Sequence, residues 1–567
     1  MTDEHASIGT GSEQMLRLGP YHSEIDRSIQ SCVSDDTEAR ILAKDPTLWP
    51  GDTGAHSLIS NRLGWLDLPR RMPHRLDQMY RFAQEARETG FSHIVHLGMG
   101  GSSLTPLVLS QALAGRAAPW LTVLDTTDPS TIRRLEREIP LAHTLFIAAS
   151  KSGTTAETSA LQRYFFQRLQ GAHDDAGSYF VAITDPDTPL ARLSHDCGFW
   201  RSFLNFPDVG GRYSALSYFG LLPAALAGID VGTLLDRAAV ALYPNAGLSA
   251  AVALGATLGE LARRGRDKLT LLLSPRISFF GMWLEQLIAE STGKDGTGIL
   301  PVADEPVADA EAYGSDRVFV HISLSGTTDG ESPLLESLER AGHPVVRLRL
   351  ADEMELGHQL LHWQLATAVA GSVLEINPFD EPNVAESKQN TGRLLDQLEH
   401  NGKLPEDTPS LDEPPLRFYG GQPADTSTAF LRRFLGQARP GDYFALQVYL
   451  PEGPTTHQAL QSLRSRVRDK LGLATTLGYG PRYLHSTGQL HKGGTATGLF
   501  LQVTGDDPED MPVPSTCYTF GQFKRAQAIG DLQALWRHGR RAVRVHLSGD
   551  TTEALSALQQ AVQQALA

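Results

Sequence analysis

Thr144-Leu145-Phe146-Ile147-Ala148-Ala149-Ser150-Lys151-Ser152-Gly153-Thr154-Thr155 passes from an apolar run straight into hydroxyls, a glycine and one lysine. The first half reads as a buried strand, the second as the loop that carries the chain into a helix. A phosphate monoester is held by short hydroxyl donors, backbone N–H groups at a helix start and a point charge, and this loop offers all three. A second Gly/Ser turn, Gly98-Met99-Gly100-Gly101-Ser102-Ser103, follows the apolar run Ile94-Val95-His96-Leu97 and precedes the helical pattern Leu104 to Leu113. On neighbouring strands two such turns can face one ligand.

Outward from these turns the pattern alternates: strand 93–97, helix 103–113, strand 121–125, helix 130–138, strand 144–149, helix 155–169, strand 179–184. Strands separated by helices form parallel βαβ units. A second cycle reads helix 248–264, strand 269–273, helix 277–292, strand 318–324, helix 332–341 and strand 345–350. The fold class is therefore α/β with two doubly wound parallel sheets. Residues 1–90 read as a helical N-terminal cap, 91–240 as the first sheet domain, 241–400 as the second, and the Pro/Asp/Glu-rich 401–427 as a linker. Residues 428–567 read as an appended, smaller α/β or α+β domain with strands at 443–449, 498–503 and 543–547.

Composition excludes several classes. The 567 residues carry a formal charge of −15 with a pI near 5.7, so no broad basic field exists for nucleic acid. Three widely spaced cysteines, Cys32, Cys197 and Cys517, support neither a disulfide framework nor a structural zinc site. The acidic start Met1 to Gly11 lacks an apolar leader, and no uncharged apolar stretch of about 18 residues occurs. The expectation is a soluble, cytoplasmic protein with no membrane partner. Gly98-Met99-Gly100-Gly101-Ser102 lacks the third glycine of GxGxxG, and no GxxxxGK[ST] occurs, which argues against a nucleotide site.

The paired turns resemble the sugar-isomerase domain. Further segments narrow the resemblance to the glucose-6-phosphate isomerase family: Val209-Gly210-Gly211-Arg212-Tyr213-Ser214, Gln286-Leu287-Ile288-Ala289-Glu290-Ser291-Thr292-Gly293-Lys294, Glu375-Ile376-Asn377-Pro378-Phe379-Asp380 and Glu386-Ser387-Lys388. They occur in the family's order over about 91–390. The tail segment Leu477-Gly478-Tyr479-Gly480-Pro481-Arg482-Tyr483-Leu484-His485-Ser486-Thr487-Gly488 resembles the C-terminal part of transaldolase–phosphoglucose isomerase fusions, here without a transaldolase half.

The resemblance implies interconversion of glucose 6-phosphate and fructose 6-phosphate through a cis-enediol, without a cofactor or metal. It implies Ser102, Ser150, Lys151, Ser152 and Thr155 as the phosphate site. Glu290 falls on the base that moves a proton between C1 and C2, Arg212 on the arginine near the enediolate, Gln286 on the glutamine one turn before the base, and Lys388 on the lysine associated with ring opening. A homodimer is implied, and association with a transaldolase follows from the tail.

The chemistry agrees with these roles. Aldose–ketose isomerisation removes a proton next to a carbonyl, which needs one close, partly desolvated carboxylate. Gln286 and Glu290, four apart on an apolar helix, share one face. Arg212 in a Gly-Gly-Arg turn can approach developing negative charge. The alternatives are a dual phosphoglucose/phosphomannose isomerase, or a non-catalytic sugar-phosphate-binding regulator, which needs the phosphate loop but neither Glu290 nor Arg212.

One departure stands out. The family's ring-opening histidine, in a Gly-Gln-His segment after the base, has no counterpart in Gly298 to Arg317, leaving His358, His362, His485 and His491 as candidates beside Lys388. Two turns of similar composition, Ser325-Gly326-Thr327-Thr328 and Ser548-Gly549-Asp550-Thr551-Thr552, lack the lysine of the phosphate loop and read as strand-to-helix turns.

Overall fold

The computed structural model describes residues 5–7, 12–113, 119–244, 246–326, 333–405 and 408–567; Thr327 and Thr328, in the turn that begins at Ser325, lie outside them. Seventeen strands form three sheets among the described residues. Two lie at the N-terminus, β1 (His5–Ser7) and β2 (Glu13–Arg17). The first parallel sheet takes β3 (His93–Leu97), β4 (Trp120–Leu124), β5 (Thr144–Ala149), β6 (Phe180–Thr184) and β7 (Arg201–Leu204), in the order β4-β3-β5-β6-β7. All its pairings are parallel, and the order reverses between β3 and β5. Buried Val, Ile, Leu, Phe and Ala along β3 and β5 leave no polar face, as expected of a sheet covered by helices on both sides.

The second sheet contains β8 (Lys268–Leu273), β9 (Leu300–Val302), β10 (Arg317–Leu324) and β11 (Val345–Leu350), all parallel. Its far edge differs from expectation, because β2 adds antiparallel to β11 and β1 to β2. The stretch read as a helical cap thus begins by extending the second sheet. Five residues with little alternation gave no strand signal; the pairing comes from the open edge of β11. Helices of the same segment then cross back, and Trp49 donates its indole N–H to the Ala368 carbonyl at 2.8 Å.

The third sheet differs further. It holds β12 (Leu411–Glu413), β13 (Leu416–Tyr419), β14 (Tyr443–Tyr449), β15 (Ala474–Tyr479), β16 (Gly498–Gly505) and β17 (Arg541–Leu547) in the order β12-β13-β17-β16-β14-β15. The last four are mutually parallel, while β12 and β13 pair antiparallel. The stretch read as linker therefore carries two strands, β12 at the sheet's edge and β13 beside it, their polar outward residues having masked them.

This domain is fastened to the second sheet by buried charge. Arg317 and Glu305 pair at 3.0 Å with both side chains fully buried, and Glu305 also accepts from the Thr475 N–H at 2.9 Å. Across the boundary Arg317 also donates to the Leu473 carbonyl at 3.2 Å, and the buried Arg464 of the third domain to the Asp304 carbonyl at 3.0 Å, so the domain is an integral layer.

Candidate active site

β3 and β5 are neighbours at the point where the strand order reverses, and both Gly/Ser turns leave their carboxyl ends there. Open parallel sheets bind ligands in that crevice. His96 at the end of β3 is fully buried, and burial pushes its ring down to about 4. The neutral ring bonds the Ser102 carbonyl through Nε2 at 2.5 Å, which fixes the first turn. Gly100, at φ +55°, passes between Gln286 and His485; a Cβ there would lie 2.7 Å from Gln286 Nε2 and 3.0 Å from the His485 carbonyl oxygen.

In the second turn, Ser150 and Thr155 bond each other through their hydroxyls at 2.8 Å, as do Ser152 and Thr154. Thr155 precedes the helix Ala156–Gln170 without capping it by its side chain. The N–H groups of that first turn thus have no side-chain acceptor from Thr155, an arrangement suited to an anion. Lys151 is committed elsewhere: its ammonium pairs with Asp185 and donates to the Pro207 carbonyl at 3.1 Å. The point charge expected at the loop is shared with a carboxylate.

Glu290 lies near the end of the helix Phe280–Thr292, nearly buried, as are Gln286 and Arg212. Gln286 donates to Glu290 Oε2 at 3.0 Å and to the His485 carbonyl at 2.8 Å. Burial pushes the Glu290 carboxyl above its usual value, against the pull of Arg212, whose guanidinium lies 3.5 Å away. Arg212 is held on every side: Nε bonds Ser291 Oγ at 2.8 Å, one terminal nitrogen bonds Glu381 at 2.9 Å, and the other bonds the Pro378 and Asp380 carbonyls at 2.8 Å each. The Asn377-Pro378-Phe379-Asp380 turn thus serves as a bracket for this arginine. Burial opposes the Arg212 charge, and Glu290 and Glu381 more than restore it.

Of the four candidate histidines, His485 reaches this site. His358 and His362 are fully buried in the helix Leu356–Val373, with His362 bonded to Gln14 at 3.1 Å. His491 bonds the Tyr443 hydroxyl at 3.0 Å beneath the third sheet. His485 Nε2 lies 2.9 Å from Glu157 Oε1, in the first turn of the helix that leaves the Lys151 loop. Burial pushes the Glu157 carboxyl up, but His485 outweighs this and leaves it below the usual value. Lys388 is exposed and lines, with Thr154, Glu157 and His485, a cavity of about 200 Å³.

The sequence reading did not single out Glu157, Glu381 or Ser291. Ala156-Glu157-Thr158 adjoins the loop directly and Ser291 adjoins Glu290, so adjacency to the motifs was the available signal. The turn at Ser548 is a strand-to-helix connection, as its sequence implies: Asp550 accepts from the Thr552 and Glu553 N–H groups at 2.9 Å and caps the helix Thr551–Ala565 itself.

A family model described as phosphoglucose isomerase matches residues 74–295. A glucose-6-phosphate isomerase of Rubrobacter xylanophilus is 31% identical over 387 residues, spanning 59% of this chain and 89% of that protein. One from Streptococcus gordonii is 26% identical over 431 residues, covering 66% and 95%. Among solved structures, a hypothetical protein of Thermus thermophilus superposes with a TM-score of 0.57 at 27% identity, covering 67% of this chain and 99% of its own. A glucose-6-phosphate isomerase of Chlamydia trachomatis shares the fold, with a TM-score of 0.54 at 18% identity over 70% and 90% of the two chains. With nearly nine-tenths of the Rubrobacter protein matched at that identity, the chain belongs to the glucose-6-phosphate isomerase family.

Proposed function

We propose that this chain interconverts glucose 6-phosphate and fructose 6-phosphate as a cytoplasmic enzyme, with Glu290 as the proton shuttle. The observation that carries the reading is the buried Glu290 carboxylate, oriented by Gln286 and flanked by Arg212. A regulator that only binds sugar phosphate has no use for a desolvated base beside a fixed cation.

The cyclic sugar must open first. A proton delivered to the ring oxygen as the anomeric hydroxyl loses one frees the aldehyde, and His485, compensated by Glu157 and near Lys388, is suited to that exchange. Glu290 then takes the proton from C2. The electron pair moves into a C1–C2 double bond, and negative charge develops on O1, where Arg212 offsets it. The O2 hydroxyl proton passes to O1, C2 becomes the carbonyl, and return of the Glu290 proton to C1 gives the ketose, with no net oxidation and no second substrate. Ser102, Ser150, Ser152, Thr155 and the N-terminus of Ala156–Gln170 hold the phosphate, and Lys151 joins them on leaving Asp185.

The test is a coupled assay with glucose 6-phosphate and mannose 6-phosphate on the parent and Glu290→Gln. The parent turns over glucose 6-phosphate, and the variant loses at least about 10²-fold in kcat while still binding phosphorylated sugar acids. Near-normal turnover removes Glu290 from the role; comparable rates on mannose 6-phosphate convert the reading to a dual isomerase. The homodimer implied by the family, and a transaldolase partner for the third domain, are read by sedimentation of the chain alone and mixed with a transaldolase.

A further inference from the structure

The turn that carries His485 is fastened to three different bodies. Arg482 presents a fork to Asp125 at the end of β4, with Nε and one terminal nitrogen each 2.8 Å from a carboxylate oxygen. Its other terminal nitrogen reaches Glu452 at 3.0 Å within the third domain. Asp125 is almost fully buried, and Ser103, which closes the first Gly/Ser turn, faces the same carboxylate at 3.5 Å. One residue on, the Tyr483 hydroxyl donates to Asp531 at 2.7 Å and touches the Tyr449 hydroxyl at 3.1 Å. Asp531 in turn pairs with the buried Lys492 at 2.5 Å. The His485 carbonyl accepts from Gln286, on the helix of Glu290.

We propose that Arg482 is a positioning residue for His485, and through it the third domain takes part in ring opening; this rests on the reading of His485 given above. Two anchors flank the imidazole along the chain. The Arg482 fork fixes the turn against the first sheet, and the Gln286 amide fixes its backbone against the second. Between them the ring has little freedom except to meet Glu157. A fork is the element that matters: a bidentate guanidinium fixes direction as well as distance, which a single ammonium does not. Tyr483 supplies the same restraint from below through a hydroxyl, inside a packed layer where Gly478 and Gly480 leave no room for a Cβ against the Tyr483 and Tyr449 rings.

The test uses the full chain with Arg482→Lys, which keeps the charge and loses the fork, and Tyr483→Phe, which keeps the packing and loses the hydroxyl. Three quantities are read: exchange between the α and β anomers of glucose 6-phosphate by exchange NMR, kcat, and inhibition by 5-phosphoarabinonate, an open-chain acid. The expected result for Arg482→Lys is at least about a tenfold fall in anomer exchange and kcat, with the inhibition constant within about twofold. Tyr483→Phe follows in the same direction and by less. In a His485→Ala background, Arg482→Lys costs nothing further, the signature of two residues acting as one unit.

An additive loss in that background, or inhibition weakened in step with kcat, overturns the proposal and leaves Arg482 a scaffold residue. Normal anomer exchange in Arg482→Lys overturns it as well. Normal exchange in His485→Ala overturns the His485 reading itself, and that outcome is distinguishable because it does not involve Arg482.

Discussion

The loop Ser150–Thr155 and the turn Gly480–Ser486 both line the cavity beside Glu157, yet they are built in opposite ways. The loop's hydroxyls pair within it and its helix follows at once, while its lysine reaches out to Asp185 and the Pro207 carbonyl. The turn instead reaches outward, Arg482 to the first sheet, Tyr483 to its own domain and His485 to the loop helix. Contiguous chemistry leaves a motif in the sequence. Chemistry assembled from distant partners leaves only isolated residues that acquire meaning once the layers are stacked.

The helix that leaves the loop meets the turn where Glu157 bonds His485, and breaking that bond has the largest expected effect on this comparison. Glu157→Gln keeps an acceptor for the imidazole and for the Gln527 amide, which now donates to Oε1 at 2.7 Å, but removes the compensating charge. Turnover of glucose 6-phosphate falls by about tenfold or more, with KM within a few-fold. Steady-state kinetics decide it: a rise in KM with kcat unchanged assigns Glu157 to substrate binding and separates the turn from the chemistry.

A smaller effect sharpens the loop's half of the comparison. Lys151→Ala weakens 5-phosphoarabinonate by about tenfold, the scale of one charged hydrogen bond. Asp185→Asn acts in the opposite sense. It frees Lys151 from its partner in the unliganded chain and tightens the same inhibitor, as competition titration reads. Weaker binding in Asp185→Asn means that Lys151 needs its carboxylate for position, and the cation then belongs to the scaffold of the loop.

Legibility followed the same division. The βαβ alternation marked the two parallel sheets, since β3, β5, β8 and β10 are largely apolar runs bounded by turn residues and β11 alternates apolar with arginine. Glu290, Gln286 and Arg212 could be picked out because each lies in a contiguous motif, and the structure brings the three side chains together. β2, β12 and β13 were not legible, being short strands whose existence depends on the free edges of β11 and β17. Nor was the pairing of Lys151 with Asp185, thirty-four residues away on the loop after β6. His485 stood in the sequence as one histidine among four; its selection needed the third domain folded over the first Gly/Ser turn, which periodicity does not encode.

The smallest expected effect is on stability, and it lies on the turn's side. Glu285, one residue before Gln286, faces a cavity of about 80 Å³ shared with Asp304, His457, Arg464 and Arg482. Burial is the largest influence on its carboxyl; Arg464 and Arg482 pull it down, Asp304 pushes it up, and it stands at about 8 against an ordinary 4.5. The folded chain therefore keeps a proton that the unfolded chain releases near pH 4.5. Between these two values the unfolded state binds fewer protons, so stability declines as pH rises. Glu285→Gln preserves shape and cannot ionise. Its melting temperature matches the parent's near pH 4.5 and exceeds it by about 2 °C at pH 9, where the parent must hold a partly buried carboxylate against the third domain. Calorimetric melting across that range reads the difference. Parallel curves mean that Glu285 ionises freely in the folded chain, and that the seam between its helix and the turn is open to water.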